Sequence, residues 1–416
     1  MGEREVVVTS AAVLTSVAED LDGFADALRQ GRSGVRATRD EAGAEARTPA
    51  AAWLDGFSVP GWADRRVDSP TAERLIRVTG RAAPPGRTAA CVAVAAVRDA
   101  GLARHELDET GLVVAGNNLA LAYQAESSRR FSARPASLRP SHALTHLDTD
   151  VIGVVSEATG VRGEGWQAGA ASASGTVAVI LASRMITAGV LRRCLVVAPL
   201  CELSDAELRA FHASGAMAGS DSVDPARLCR PFDARREGFV YGQGAAAVLL
   251  EDGDAAAARG AKPLARIAGH GQRLDGRRGT TPDTAGQVAA LRAALADAGA
   301  APAEVAYVNA HGTGSVLGDE AEARALVEVF GSGPLVNSTK PLIGHCLGAA
   351  GLLELVATLL QMRDGFVHPN PNLDVPLDPA PSLAGRTAVP AVIGTAVSNS
   401  VAFSGINCAV VLRAPR

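Results

Sequence analysis

Short runs of β-branched and aliphatic residues alternate with longer stretches in which small apolar residues recur every third or fourth position. The first kind reads as buried strands and the second as helices packed on a sheet. The pattern predicts strands over Glu5–Val13, Gly111–Gly116, Cys194–Ala198 and Gly244–Leu250. Helices are predicted over Asp20–Gln30, stopped by Gly31, over Ala89–Ala100 and over Ile180–Thr187. After Glu251-Asp252-Gly253-Asp254, an alanine-rich helix and Gly260, the alternation starts again. Strands are expected at Pro263–Ala268, Val305–Ala310, Leu335–Asn337 and Asn407–Leu412. Helices are expected at Ala285–Ala298, Glu320–Val329 and Gly348–Met362. Such alternation in both parts argues for an α/β fold with helices covering the sheet faces. The break near residue 253 divides the chain into halves at 1–253 and 254–416.

Composition narrows the class. The chain has 416 residues, 47% of them hydrophobic and 20% charged, so a large core can form. A formal charge of −4 gives no bias toward nucleic acid or membrane surfaces, and neither partner is expected. No apolar run has membrane-spanning length, and the charged start Met1-Gly2-Glu3-Arg4-Glu5 lacks a signal-peptide core, so a cytoplasmic protein is expected. Six scattered cysteines without CxxC pairing predict buried free thiols, neither disulfides nor a metal site. Only Cys346 adjoins a candidate site. Ser127–Pro140, with Arg129, Arg130, Arg134 and Arg139, reads as a solvated surface loop, or as a docking face for an acidic partner.

Of the 40 Lys and Arg residues only two are lysine, Lys262 and Lys340. Lys340 therefore stands out, and it lies in one of four polar, glycine-rich segments that interrupt the apolar pattern. These are Gly169-Ala170-Ala171-Ser172-Ala173-Ser174-Gly175, Asn309-Ala310-His311-Gly312-Thr313-Gly314, Ser338-Thr339-Lys340-Pro341-Leu342-Ile343-Gly344-His345 and Ser398-Asn399-Ser400-Val401-Ala402-Phe403-Ser404-Gly405. Ser172 opens a helix, where backbone N–H groups favour negative charge. His311 and His345 follow strands on glycine-rich turns.

In this order the segments resemble the β-ketoacyl synthases. Gly31-Arg32-Ser33-Gly34-Val35, Arg230-Pro231-Phe232-Asp233 and Glu237–Gly244 extend the likeness over the whole chain. The resemblance implies a thiolase fold, a five-layered α-β-α-β-α sandwich of two duplicated halves, and usually a dimer. It places Ser172 where condensing members carry the nucleophilic cysteine. Gln167 falls too early for that position and belongs to the preceding strand. Gly169–Gly175 with the retained His pair, Arg273-Leu274-Asp275-Gly276, and His311–Ser315 with Gly318-Asp319-Glu320 resemble, more narrowly, the stand-alone decarboxylating ketosynthases of HMG-synthase-like polyketide β-branching cassettes. Those turn malonyl-acyl carrier protein into acetyl-acyl carrier protein, with the substrate carried on phosphopantetheine and no other cofactor.

By that resemblance, His311 and His345 donate N–H bonds to the thioester oxygen as it becomes an enolate. Lys340 holds their partners in register, disfavours protonated imidazole, and pairs with Glu322. Phe403 matches the gate phenylalanine, with altered neighbours Ala402 and Ser404, and its backbone N–H joins that of Ser172 in a second oxyanion hole. Thr313 and Ser315 contact the pantetheine arm. Two other readings stand beside this one. A chain-length factor paired in a heterodimer with an active ketosynthase also lacks the cysteine. A serine acyltransferase would need a base close to Ser172, and no Gly-x-Ser-x-Gly elbow is evident.

Overall fold

The opening apolar run forms the strand Val6–Thr15, almost wholly buried, which is why it lacks an in–out alternation of apolar and polar residues. The computed structural model describes residues 4–38, 50–219 and 224–415; the charged start, Met1-Gly2-Glu3, lies outside them. Val6–Thr15 sits centrally in a ten-stranded sheet. Outward from it on one side run Gly244–Asp252, Arg193–Ala198, Gly111–Ala115 and Gly165–Ala168. On the other side run Ala265–Leu274, Ile406–Arg413, Thr395–Ala402, Tyr307–Asn309 and Leu335–Asn337.

The two groups of five share one topology. In each, the first strand of the half pairs antiparallel with the fifth, and the fifth antiparallel with the fourth. The fourth pairs parallel with the second, and the second parallel with the third. The groups join only where Val6, Val7 and Val8 pair with Ile267, Arg266 and Ala265. The chain is thus two copies of one unit.

Helices complete five layers. Ser174–Thr187 and Ala350–Asp364 lie between the halves, in the core that holds Val13, Val113, Val196, Ile180, Leu352 and Val410. Pro84–Ala100 and Asp150–Thr159 cover one outer face, over Leu112, Val114, Leu195 and Val197. Thr284–Asp297 and Val316–Phe330 cover the other, over Val308 and Val397. Alternate residues of one strand, Leu112 and Val114 against Val113, therefore serve different layers. The α/β thiolase fold expected from the resemblance is the fold observed.

Two local expectations change. Ser127–Pro140 is no loop: Leu121–Ala133 is a helix with no buried residue, followed by a 3₁₀ turn at Pro135–Ser137. Glu126 accepts from Arg130 and pairs with Arg129, offsetting repulsion on this face. The helix expected to open at Ser172 and to carry Ile180–Thr187 starts slightly later, at Ser174. All six cysteines are buried and unpaired. Among the described residues no helix is long and apolar enough to cross a membrane, and no cluster of His, Cys, Asp or Glu suits a metal.

Candidate active site

Ser172 lies in a 3₁₀ turn, Ala171–Ala173, that leads into the central helix rather than in the helix itself. The turn is tight, and Ala171 has a φ of 46°. Ser174 braces it, its Oγ accepting from Ala170 N–H at 2.8 Å and donating to Ala171 O at 2.7 Å. Behind the turn, a Cβ on Gly175 would stand 2.5 Å from the backbone nitrogen of Leu352. Only glycine lets the two central helices approach this closely. That approach brings the residue-172 turn of one half against the His345 segment of the other. Ser172 Oγ is 2.9 Å from His345 Nε2.

The hydrogen bonds of His345 assign its tautomer. The backbone N–H of Leu347 donates to Nδ1 at 3.3 Å, so in the neutral ring Nε2 carries the proton. Burial first, and the Lys340 ammonium second, hold His345 well below the usual histidine value of 6.5. Ser172 Oγ is therefore an acceptor from His345 Nε2–H. His345 stands close to Ser172, as an acyltransferase would require, but in the wrong protonation state to act as its base.

His311 follows the strand Tyr307–Asn309 and stands edge-on to His345, with ring centroids 5.5 Å apart at 84°. Lys340 Nζ lies 3.4 Å from His311 Nδ1, which leaves Nε2 as the protonated nitrogen here too. Burial again leads in lowering the His311 pKa, followed by Lys340 and His345. Lys340 is fully enclosed. Its Nζ also donates to His311 O and to Glu354 Oε1, so three acceptors surround three donors.

The carboxylate on Lys340 is thus Glu354, not Glu322, which corrects the pairing expected from sequence. Glu322 instead accepts from His311 N–H, Gly312 N–H and Asn399 Nδ2, each at 2.7 Å. It fixes the backbone of the His-Gly turn. Asp319 does the same one step on, accepting from Thr313 N–H at 3.0 Å, Gly314 N–H at 3.1 Å and Phe232 N–H at 2.7 Å. Burial pushes its carboxyl up to about 7. Glu354 escaped the sequence reading, and Asp319 entered it only within Gly318-Asp319-Glu320, without a role. The available signal for Glu354 was one carboxylate in the apolar run Leu352-Leu353-Glu354-Leu355-Val356.

Ser172, His311 and His345 face one cavity of about 300 Å³, lined also by Thr313, Ser315, Glu322 and Phe403. Thr313 Oγ1 donates to Ser315 Oγ at 2.9 Å. Phe403, partly exposed on the turn between Thr395–Ala402 and Ile406–Arg413, faces Phe211 at 6.3 Å. Phe239 meets His345 edge to face at 5.3 Å. Lys340 does not line the cavity; its Nζ contacts His311, which does. Cys346 points away into the core, and its burial raises the thiol pKa, so it brings no reactive thiolate.

Two family models match the chain. The β-ketoacyl synthase N-terminal domain matches residues 3–256 and the C-terminal domain residues 264–374. The polyketide biosynthesis malonyl-ACP decarboxylase PksF of Bacillus subtilis is 33% identical over 98% of this chain and 96% of that protein. The chloroplastic 3-oxoacyl-[acyl-carrier-protein] synthase II of Arabidopsis thaliana is 31% identical over 98% of this chain and 75% of that protein. Among solved structures, a β-ketoacyl synthase from Burkholderia phymatum aligns over 99% of this chain and all of its own, with a TM-score of 0.88 and 29% identity. The ishigamide ketosynthase/chain length factor aligns over the whole of both chains, with a TM-score of 0.87 and 27% identity. Matched along nearly its full length in sequence and fold, the chain belongs to the β-ketoacyl synthase family.

Proposed function

We propose that the protein decarboxylates malonyl-acyl carrier protein to acetyl-acyl carrier protein, without condensation, for polyketide β-branching. The observation that carries the reading is the protonation pattern of His311 and His345. A donor meets each Nδ1, which in a neutral ring leaves the proton on Nε2, and both rings line one cavity beside Ser172.

Both N–H groups bond the thioester carbonyl oxygen. As the bond from the α-carbon to the carboxylate breaks, CO2 leaves and the electron pair moves onto that oxygen. Donors aimed where charge develops stabilise such a step, and removing one costs about 10²–10³ in rate. Ser172 supplies no thiolate to hold an acyl chain, so the enolate meets no electrophile and ends as acetyl. Thr313 and Ser315 line the path of the phosphopantetheine arm, and Phe403 stands at the gate. The malonyl-ACP decarboxylase PksF, similar over nearly the full length of both chains, supports the reading. A homodimer fits the family.

Chain-length factors are the second reading, favoured by the likeness to the ishigamide complex. A non-catalytic subunit has no need of an enclosed Lys340–Glu354 pair behind a neutral His pair. Purified protein incubated with malonyl-loaded carrier protein tests between them: loss of CO2 from the carrier, without a ketosynthase partner, supports the decarboxylase.

A further inference from the structure

Ser172 has a hydrogen atom to spare at the place where the reaction needs one. Its Oγ accepts from His345 Nε2–H at 2.9 Å and has no other hydrogen-bond partner among the described residues. Its own O–H has no acceptor among the described residues, and Ser172 lines the cavity. If the thioester oxygen sits on the two Nε2–H groups, the α-carbon lies about 2.4 Å from that oxygen by covalent geometry. Ser172 Oγ shares the same His345 donor, so a pose with the α-carbon turned toward residue 172 puts that carbon within reach of Oγ.

Ser315, Thr280 and Thr281 also carry hydroxyls on the cavity wall, but among the cavity hydroxyls only that of Ser172 is bonded to a His345 ring nitrogen. Several other polar groups are committed. Thr313 donates to Ser315. Both oxygens of Glu322, and both of Asp319, accept backbone N–H groups. Glu207 accepts from Ser204. The buried Cys201 thiol is pushed up to about 12.

We propose that the Ser172 hydroxyl is the proton donor to the α-carbon of the acetyl enolate. This rests on the decarboxylase reading. After CO2 departs, the enolate electron pair takes the Oγ proton and forms the new C–H bond, and the carbonyl re-forms. The O–H bonding pair stays on Oγ as an alkoxide, held by His345 Nε2–H, until a water molecule from solvent returns a proton to it. Serine at this position therefore ends the reaction by quenching the carbanion equivalent. Without the hydroxyl, the enolate outlives CO2 departure and recaptures CO2.

Isotope exchange reads this directly. The full-length protein is given unlabelled malonyl-carrier protein in ¹³C-bicarbonate with carbonic anhydrase. The reaction is stopped near half conversion and the remaining malonyl groups are weighed by mass spectrometry. Wild type should leave them essentially unlabelled. Ser172→Ala and Ser172→Gly, both confirmed as folded by thermal melts, should show several-fold more label while still making acetyl-carrier protein. Variants that decarboxylate with no more label than wild type would overturn the proposal. So would folded variants that release no CO2 at all, because the hydroxyl would then act in bond cleavage. A wild-type protein that releases no CO2 sinks the decarboxylase reading itself, a result distinct from either.

Discussion

The backbone N–H of Leu347 and the Nδ1 of His345, 3.3 Å apart, determine what the site can do. With Nδ1 occupied by a backbone donor, a neutral His345 is a hydrogen-bond donor toward Ser172 and not a base. Lys340 imposes the same orientation on His311 from a different element.

His311→Ala and His345→Ala should therefore each slow decarboxylation by about 10²-fold or more, through loss of one enolate donor. Both residues lie on motif turns rather than in the core helices. Circular dichroism should show intact folds, and steady-state CO2 release should show the loss. Folded variants with wild-type rates would contradict the oxyanion assignment.

The pH dependence has a definite sign. His311 and His345 titrate well below 6.5, and His368 is pushed down to about 4, in each case chiefly by burial. Decarboxylation should stay level as pH falls through 6.5 and fail only in more acidic solution. Stability behaves differently. A histidine whose folded pKa is depressed contributes stability above its unfolded value, and that contribution is lost as pH falls below 6.5 toward the folded pKa. The histidine contribution to the denaturant midpoint should thus fall below pH 6.5, against an opposite contribution from the raised carboxyls of Asp319 and Glu354, while the rate per folded molecule does not fall. A rate that titrates near 6.5 would show that another group, such as the Asp319 carboxyl raised to about 7, and not this pair, governs the chemistry.

Glu354→Ala should be more damaging than its distance from the cavity suggests. It strands the Lys340 ammonium in a fully enclosed position, and breaking a buried ion pair on one side costs about 3–5 kcal/mol. Urea unfolding measures this. A change near zero would mean that Lys340 finds another partner.

Ser172→Cys places a thiol in the turn leading into a helix N-terminus, beside His345, in an open cavity. It should react with iodoacetamide in preference to the six native cysteines, which are all buried. Peptide mapping after brief alkylation checks this. Labelling confined to the native cysteines would remove the claim that residue 172 faces the cavity. Ser172→Ala should lower net turnover by no more than about tenfold, or roughly 1.4 kcal/mol of barrier, since bond cleavage depends on the His pair.

Much of this was legible because it is local. The turns at Ser172, His311 and His345 announce themselves as glycine-rich polar breaks in an apolar chain, and their strands and helices follow the hydrophobic period. The partner of Lys340 was not legible. Glu354 lies 14 residues downstream on the next long helix, and only the packing of Ala350–Asp364 behind the His segment reveals the contact. Glu322 is likewise nearer in sequence to His311 than to Lys340, and it spends its oxygens on the backbone there. The strand Thr395–Ala402 was masked by composition. Thr395, Ser398, Asn399 and Ser400 are buried in it, and two of their side chains bond outward, Asn399 to Glu322 and Ser400 to Thr176 at 2.7 Å each. A strand that positions a site can carry polar residues where the period expects apolar ones.

The central claim is decarboxylation by a ketosynthase fold that cannot condense. Intact-mass spectrometry of both protein and carrier, after incubation with malonyl-loaded carrier protein, addresses it most directly. The account predicts acetyl-carrier protein as product and an unmodified protein with no acyl adduct on Ser172. An unchanged malonyl-carrier protein, or a stable acyl group on Ser172, would contradict it.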